Sequence, residues 1–431
     1  MKERYESYKD SGVPWIGQVP AGWECVKIKR CIKGLQDGTH GTYLRESTGQ
    51  YLLSAKNVTD DGIVIGNNES RISQEDYESI IANGYPKKGD VLLCCVGTIG
   101  RCCIYDKNEP MAFQRSVTFI RTNEKALNRF VMYALKNNSS QIQLNEKAKA
   151  SAQKGVYLND VKEIVITLPP LPEQRAIAGY LDARCAAIDA YMASLEREAG
   201  LARELKQAVI ARAVTRGLDP NTPMRDSGIP WIGQVPEGWE VRKLSQLAHE
   251  HYISNKGVNH QNLLSLSYGR VIRKDIKTTD GLLPQSFDGY QIVEKGNIIL
   301  RLTDLQNDHK SLRVGLVNEE GIITSAYLCL QCTDAVLPEY IYLMLHVNDI
   351  HKVFYGMGAG VRQSLNFDGI RNMAILLPPL PEQRAIAGYL DVRCAAIDAY
   401  VASLEREADL ARELKQREIA DAVTGKVKIT A

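Results

Sequence analysis

Within thirteen residues, Arg301, Thr303, Asp304, Gln306, Asn307, Lys310 and Arg313 gather side-chain types that can hydrogen-bond the edges of nucleic-acid bases. Arg and Lys match the acceptors of guanine, Asn and Gln match adenine, and almost any donor serves a phosphate. A solvated polar loop has the same composition. Arg362 and Gln363 follow the glycine-rich run Gly356–Gly360. Earlier in the chain the same types recur as Lys56 with Asn57, Thr98 with Arg101, Gln114 with Arg115, and Lys147, Lys149, Gln153 and Lys154. Where the later stretch reads GVRQ, the earlier one reads SAQKGVY, so equal roles for Gln153 and Lys154 do not follow. The lysines suit phosphate.

Other chemistries find less support. Methyl transfer to an adenine amine calls for an Asp/Asn-Pro-Pro-aromatic motif, and the chain has none; it also lacks the Gly-x4-Gly-Lys-Ser/Thr phosphate loop. Cys94, Cys95, Cys102 and Cys103 invite a zinc reading, but adjacent residues on a strand point to opposite faces. Four small hydrophobes on a buried hairpin fit better. Cys329 and Cys332 form a CxxC without a second pair at zinc-finger spacing, and free thiols are expected in a reducing cytosol. Trp15, Trp23, Trp231 and Trp239 are possible base stackers, but packing against helix ends is the favoured role.

The chain that must position these groups has 431 residues, a net charge of +2, and hydrophobic and charged shares of 44% and 24%. Those proportions are ordinary for a soluble globular protein, and the length suits two domains with connecting elements. No apolar run reaches the roughly 18 residues of a membrane span, and the first ten residues are polar, so a cytoplasmic protein without a membrane partner is expected.

Two repeats organise the chain. Asp10–Glu24 (DSGVPWIGQVPAGWE) returns at Asp226–Glu240 with two differences, Val13/Ile229 and Ala21/Glu237. Leu168–Gln207 returns at Leu377–Gln416 with three, Ala183/Val392, Met192/Val401 and Gly200/Asp409. Folding alone leaves exposed positions free, so near-identity at exposed Glu, Arg and Lys means a young duplication or one surface shown twice to the same kind of partner. Leu181, Ile188, Leu195, Ala202 and Val209 lie seven apart, with Cys185, Met192 and Ala199 between them. That heptad seam predicts a coiled-coil helix, and Leu390, Ile397, Leu404 and Ala411 repeat it. Each helix follows LPPLPEQ, whose last Pro suits a first turn and whose Glu-Gln pair suits its positive end. Forty helical residues reach on the order of 60 Å. Each seam needs a partner, and the matching seam is the other copy, packed antiparallel.

The blocks between, about 29–166 and 243–376, read as mixed α+β. Val91–Tyr105 and Gly296–Val317 are predicted hairpins, and Asn128–Lys136 and Pro338–His346 short amphipathic helices. The expected divisions are 1–170, signature and first block; 171–215, first long helix; 216–376, linker, second signature and second block; and 377–431, second long helix and tail.

The signature DSGxPWIGQVPxGWE, the LPPLPEQRAIAGYLD lead-in, DLQND at Asp304–Asp308, GVRQSLNFDGI at Gly360–Ile370 and the AVTRGLDP linker resemble the specificity subunit of type I restriction-modification systems. The likeness covers essentially the whole chain. It implies an α+β fold of two target-recognition domains separated by two long antiparallel coiled-coil helices, with a pseudo-two-fold internal repeat. Each domain would read one half of a split, asymmetric double-stranded DNA site, with the residues named at the outset as the candidate contacts. It further implies a chain that is not itself catalytic and binds no cofactor or metal. Two adenine-N6 methyltransferase subunits would bring S-adenosylmethionine, and restriction subunits ATP and Mg. A self-sufficient enzyme and a purely structural coiled-coil adaptor are the competing readings. A rigid spacer would also fix the separation of the half-sites, because a groove turns toward a reader about every 10 base pairs.

Overall fold

The computed structural model describes residues 3–149, 154–258, 260–276, 286–308, 311–357 and 364–430. It divides into two compact units: residues 1–196 with 406–431, and residues 197–405. The long helices are therefore not pieces of their own, because each contributes one end to each unit. Burial explains this, since both ends of each helix are needed to cover the apolar faces of the blocks.

In the first unit a four-stranded antiparallel sheet has the order Cys102–Ile104, Val91–Cys94, Val117–Thr122, Ile32–Asp37. In the second, Val314–Leu316, Ile298–Leu300, Leu328–Cys332 and Ala248–Glu250 follow the same order. Both predicted hairpins are present. Each sheet is followed by its amphipathic helix, Asn128–Lys136 or Pro338–Ile350, the latter one turn longer than expected. The two-residue alternation of a strand sends Cys94 and Cys103 into one core and Cys95 and Cys102 into the other. Burial pushes the Cys94 thiol up to about 11 and those of Cys95 and Cys103 up to about 12.

A short strand, Val165–Leu168 in the first unit and Ala374–Leu377 in the second, feeds directly into each long helix, Leu171–Arg216 and Leu380–Val423. The Glu-Gln pair in the first turn ties three elements together. Glu173 accepts from the indole of Trp23 at 2.9 Å, while Gln174 accepts from Leu127 N at 2.7 Å, just before the block helix, and donates to the carbonyls of Lys125 and Pro169. The second unit repeats this, with Glu382 on Trp239 at 3.0 Å and Gln383 on Leu337 N at 2.9 Å. Trp23 and Trp239 are thus buried packing residues, as favoured from the sequence; Trp231 is half-buried on His351, and Trp15 is exposed. Each unit also receives the far end of the other long helix. Gly425 at φ +70° ends one against Pro20 and Trp23, and Gly217 at φ +73° ends the other against Trp239 and Pro236.

Most of the heptad seam is buried, with Leu181, Cys185, Ile188 and Leu195 in the first helix and Leu390, Ile397, Val401 and Leu404 in the second, while Met192, Val209 and Cys394 are half-buried. The pairing is antiparallel within each unit. In the first, Asp189 receives Lys415 at 2.6 Å and Tyr180 donates to Glu418 at 2.8 Å. In the second, Asp398 receives Lys206 at 2.7 Å and Tyr400 donates to Glu198. Among the described residues no helix is long and apolar enough to cross a membrane.

His346, on the second block helix, is buried where its Nε2 meets Gln207 Oε1 at 3.1 Å. Burial, aided by the Lys206 charge, lowers its pKa to about 4. Between pH 6.5 and 4 the unfolded chain therefore gains a proton that the folded unit refuses, so this residue erodes stability as pH falls, by on the order of 3 kcal/mol at most. His346→Gln should flatten the decline of the second unit's unfolding midpoint between pH 7 and 4, read by denaturant titration at stepped pH; a slope equal to the parent's contradicts this.

Candidate nucleic-acid interface

In the first block, five sequence-distant segments meet at one rim. Ala55 N donates to Ser116 Oγ at 3.0 Å, Gln114 N donates to Leu53 O at 2.8 Å, and Arg101 reaches Val58 O at 3.5 Å. Val156 N donates to Cys95 O at 2.9 Å and Val96 bridges Gly155, which brings Lys154 beside the turn carrying Thr98. The rim therefore assembles Lys56, Thr98, Arg101, Gln114, Arg115 and Lys154, drawing on all four stretches singled out in the first block's sequence. Lys56, Thr98, Arg115 and Lys154 are exposed, and Arg101 and Gln114 half-buried. Lys56 pairs with Glu69 at 2.7 Å, and this lysine is the main reason that the Glu69 carboxyl is held below its usual range.

Asn57 does not belong to this surface. Its side chain is buried, accepting from Ser54 N at 2.9 Å and donating to Val64 O at 3.0 Å. Both ends of the amide are satisfied by the main chain, so it shapes the turn that displays Lys56. Lys147 is half-buried near Asp160 at 3.7 Å; the Lys149 side chain and Gln153 lie outside the described residues. His40, not singled out in the sequence, joins the rim because Thr39 bridges Gln114, and its ring is exposed. A lone histidine in a Gly-Thr-His-Gly run gives no signal of that proximity.

In the second block the loop 301–313 joins the hairpin strands Ile298–Leu300 and Val314–Leu316. Leu302 and Leu305 are buried and anchor it, leaving Asp304, Gln306 and Asn307 exposed and Arg301 and Thr303 half-buried. Arg301 lies 3.8 Å from Asp308, and Asn307 donates to Asp304 at 2.8 Å. Leu365 N donates to Leu302 O at 2.9 Å, so the chain after the GVRQ run lies along this loop, as the chain after Lys154 lies along the first turn. Arg362, Gln363 and Lys310 themselves fall outside the described residues. Arg313 is a correction: its side chain is fully buried, and its donors end on loop carbonyls and the Tyr355 hydroxyl. Spacing along a polar run cannot distinguish an outward arginine from one turned inward.

The helical repeat carries a surface of its own. In the first unit Arg184, Ala187, Ile188, Tyr191, Glu407, Leu410, Ala411 and Leu414 line a groove of about 420 Å³. In the second, Arg393, Ala396, Ile397, Tyr400, Glu198, Leu201, Ala202 and Leu205 line one of about 380 Å³. The two sets are the same eight residues of the repeat. Leu201, Leu205, Leu410 and Leu414 are all exposed, an unusual state for leucines beside a coiled-coil seam.

Two divergent mixed blocks on a duplicated helical frame, with equal apolar grooves on that frame, define a modular recognition scaffold. The family described as type I restriction modification DNA specificity domain matches twice, at residues 46–192 and 236–399. The putative type I restriction enzyme MjaX specificity subunit of Methanocaldococcus jannaschii is 24% identical over 435 residues, covering 96% of each chain. The MjaVIII specificity subunit of the same organism is 22% identical over 96% of this chain and 94% of its own. A solved chain reported under complex assembly and conformational transition of the type I R-M system shares the fold, with a TM-score of 0.66 and 15% identity over 95% of this chain and 99% of its own. The chain belongs to the type I restriction-modification DNA specificity family. It is a specificity subunit carrying the DNA specificity domain twice.

Asn57→Ala should lower the unfolding free energy by roughly 1–3 kcal/mol, because it removes a buried amide together with its hydrogen bonds to Ser54 N and Val64 O. Asn307→Ala, on the exposed loop, should leave it within about 0.5 kcal/mol of the parent. Urea titration of both variants checks the contrast, and equal destabilisation would refute the assignment of one to the frame and the other to the surface.

Proposed function

We propose that each block reads one half of a split, asymmetric double-stranded DNA site, and that the helical grooves seat two copies of one adenine-N6 methyltransferase subunit. The observation that carries this reading is the contrast in divergence: the grooves are lined by identical residues, while the rims share almost none. One kind of catalytic partner acting on two different half-sites demands that combination. Restriction subunits complete the assembly. This chain supplies recognition and no catalysis, the methyltransferase brings S-adenosylmethionine, and the restriction subunits bring ATP and Mg.

At the rims, Lys56, Thr98, Arg101, Gln114, Arg115 and Lys154 in the first block, and Arg301, Thr303, Asp304, Gln306 and Asn307 in the second, are the described candidates for meeting DNA. Arg301 and Arg115 suit guanine or phosphate, Gln114, Gln306 and Asn307 suit adenine, and the lysines suit phosphate. Lys147, Lys149, Lys310, Arg362 and Gln363 remain candidates on their residue type and on the resemblance.

Exchanging 243–376 for another reader block should change one half of the methylated site and leave the other half and the grooves' partner unchanged, as read by sequencing methylated adenines; a change in both halves would defeat the modular reading. Leu201→Glu or Leu410→Glu alone should leave one bound methyltransferase subunit and the pair together none, as weighed by native mass spectrometry. Retention of both subunits by the double variant removes the grooves from the reading.

A further inference from the structure

The shape of loop 301–313 depends on a side chain that never reaches the surface. Arg313 has no exposed side-chain area, and a buried guanidinium is tolerated only when its donors are met. Nη1 donates to the carbonyls of Arg301 at 3.0 Å and Thr303 at 2.8 Å. Nη2 donates to those of Asp304 at 3.3 Å and Asp308, and Nε to the Tyr355 hydroxyl at 2.9 Å. Four of the five acceptors are main-chain atoms of the loop itself. The hydroxyl of Tyr355 donates in turn to Asp308 O at 3.1 Å, and buried Asp349 accepts from Arg313 N at 2.6 Å. Asp304 is held at φ +56°, a conformation that a non-glycine residue keeps only when its surroundings impose it.

We propose that Arg313 is a positioning residue for sequence recognition: by drawing the loop's carbonyls inward it sets the angle and depth at which the exposed side chains of the loop meet base edges, without touching DNA. This rests on the reading of the loop as a DNA contact of the second block. Hydrogen-bond recognition of a base pair tolerates an error of about 0.5 Å, so an unframed loop loses discrimination before it loses attraction for phosphate. Lysine cannot substitute, since a point charge with three donors does not span the acceptors that a planar fork with five reaches. The first block uses another device. Its turn 95–101 is short and is held by Gln141, whose amide donates to the carbonyls of Gly100 at 3.1 Å and Leu135 at 2.7 Å. Disturbing Arg313 therefore acts on one half-site alone.

The test uses the full chain assembled with its methyltransferase subunit, acting on pools of duplexes randomised in one half-site at a time, with methylated products sequenced. Arg313→Lys and Tyr355→Phe are expected to reduce discrimination by about tenfold or more at one or more positions of the half-site read by the second block. The other half-site keeps the parent's preferences. A merely structural loss would instead lower methylation of every sequence alike, and that outcome overturns the proposal, as does parental discrimination in both variants. Where Arg313→Lys does not fold, Tyr355→Phe, which keeps the ring, decides. Gln306→Ala and Asn307→Ala in the same assay separate the two levels. If they leave the second half-site unchanged, the loop is no DNA contact and both readings fall; if they alter it while Arg313→Lys and Tyr355→Phe do not, only the positioning role falls.

Discussion

The carboxylate of Glu173 on the Trp23 indole, and the amide of Gln174 beside it on the main chain of Leu127 and Lys125, join three elements of the first unit at the start of its long helix. An indole N–H buried without an acceptor costs a few kcal/mol, and so does a helix start with unmet donors. Placing Glu and Gln consecutively at a helix N-terminus meets both needs, and the positive end of the helix favours the carboxylate. The same pair recurs as Glu382 and Gln383. Every block is thereby registered to its long helix, and whatever the block displays is displayed at a defined angle to that helix.

Once the frame is registered, the blocks are free to diverge, and they do so in different physical ways. The first builds its rim from five short stretches laid side by side, each contributing one or two side chains. The second concentrates its exposed polar groups on a single loop, stiffened from within by a buried cation. Both solutions hang on the same four-stranded sheet order and the same helix behind it. The apolar interior supplies the common fold, while the loops at its surface are where the two differ.

Much of this was legible in one dimension. The heptad seam and the proline-bounded lead-in pointed to a first long helix at 171–215, which runs Leu171–Arg216, and to a second within 377–431, which runs Leu380–Val423, because an apolar stripe of that length has no other way to be buried. The hairpins and short helices followed from their periodicity. The candidate contacts were less legible. Asn57 and Arg313 have the composition of DNA readers and are instead buried organisers of turns, while His40 reaches the rim without any sequence signal. Polar residues are ambiguous in sequence because the same donors serve equally well for solvent, a ligand or an unsatisfied carbonyl of the chain.

The sequence by itself determined the duplication, the family, the helical frame and the near-identity of its two copies, since these rest on repeats and on hydrophobic periodicity, which survive without coordinates. Only the tertiary structure decided which polar side chains face outward, that five distant stretches form one rim, and that a guanidinium holds the second loop from inside. Those outcomes depend on how main-chain carbonyls and amides far apart in the chain are satisfied, and that is settled only when the chain folds back on itself.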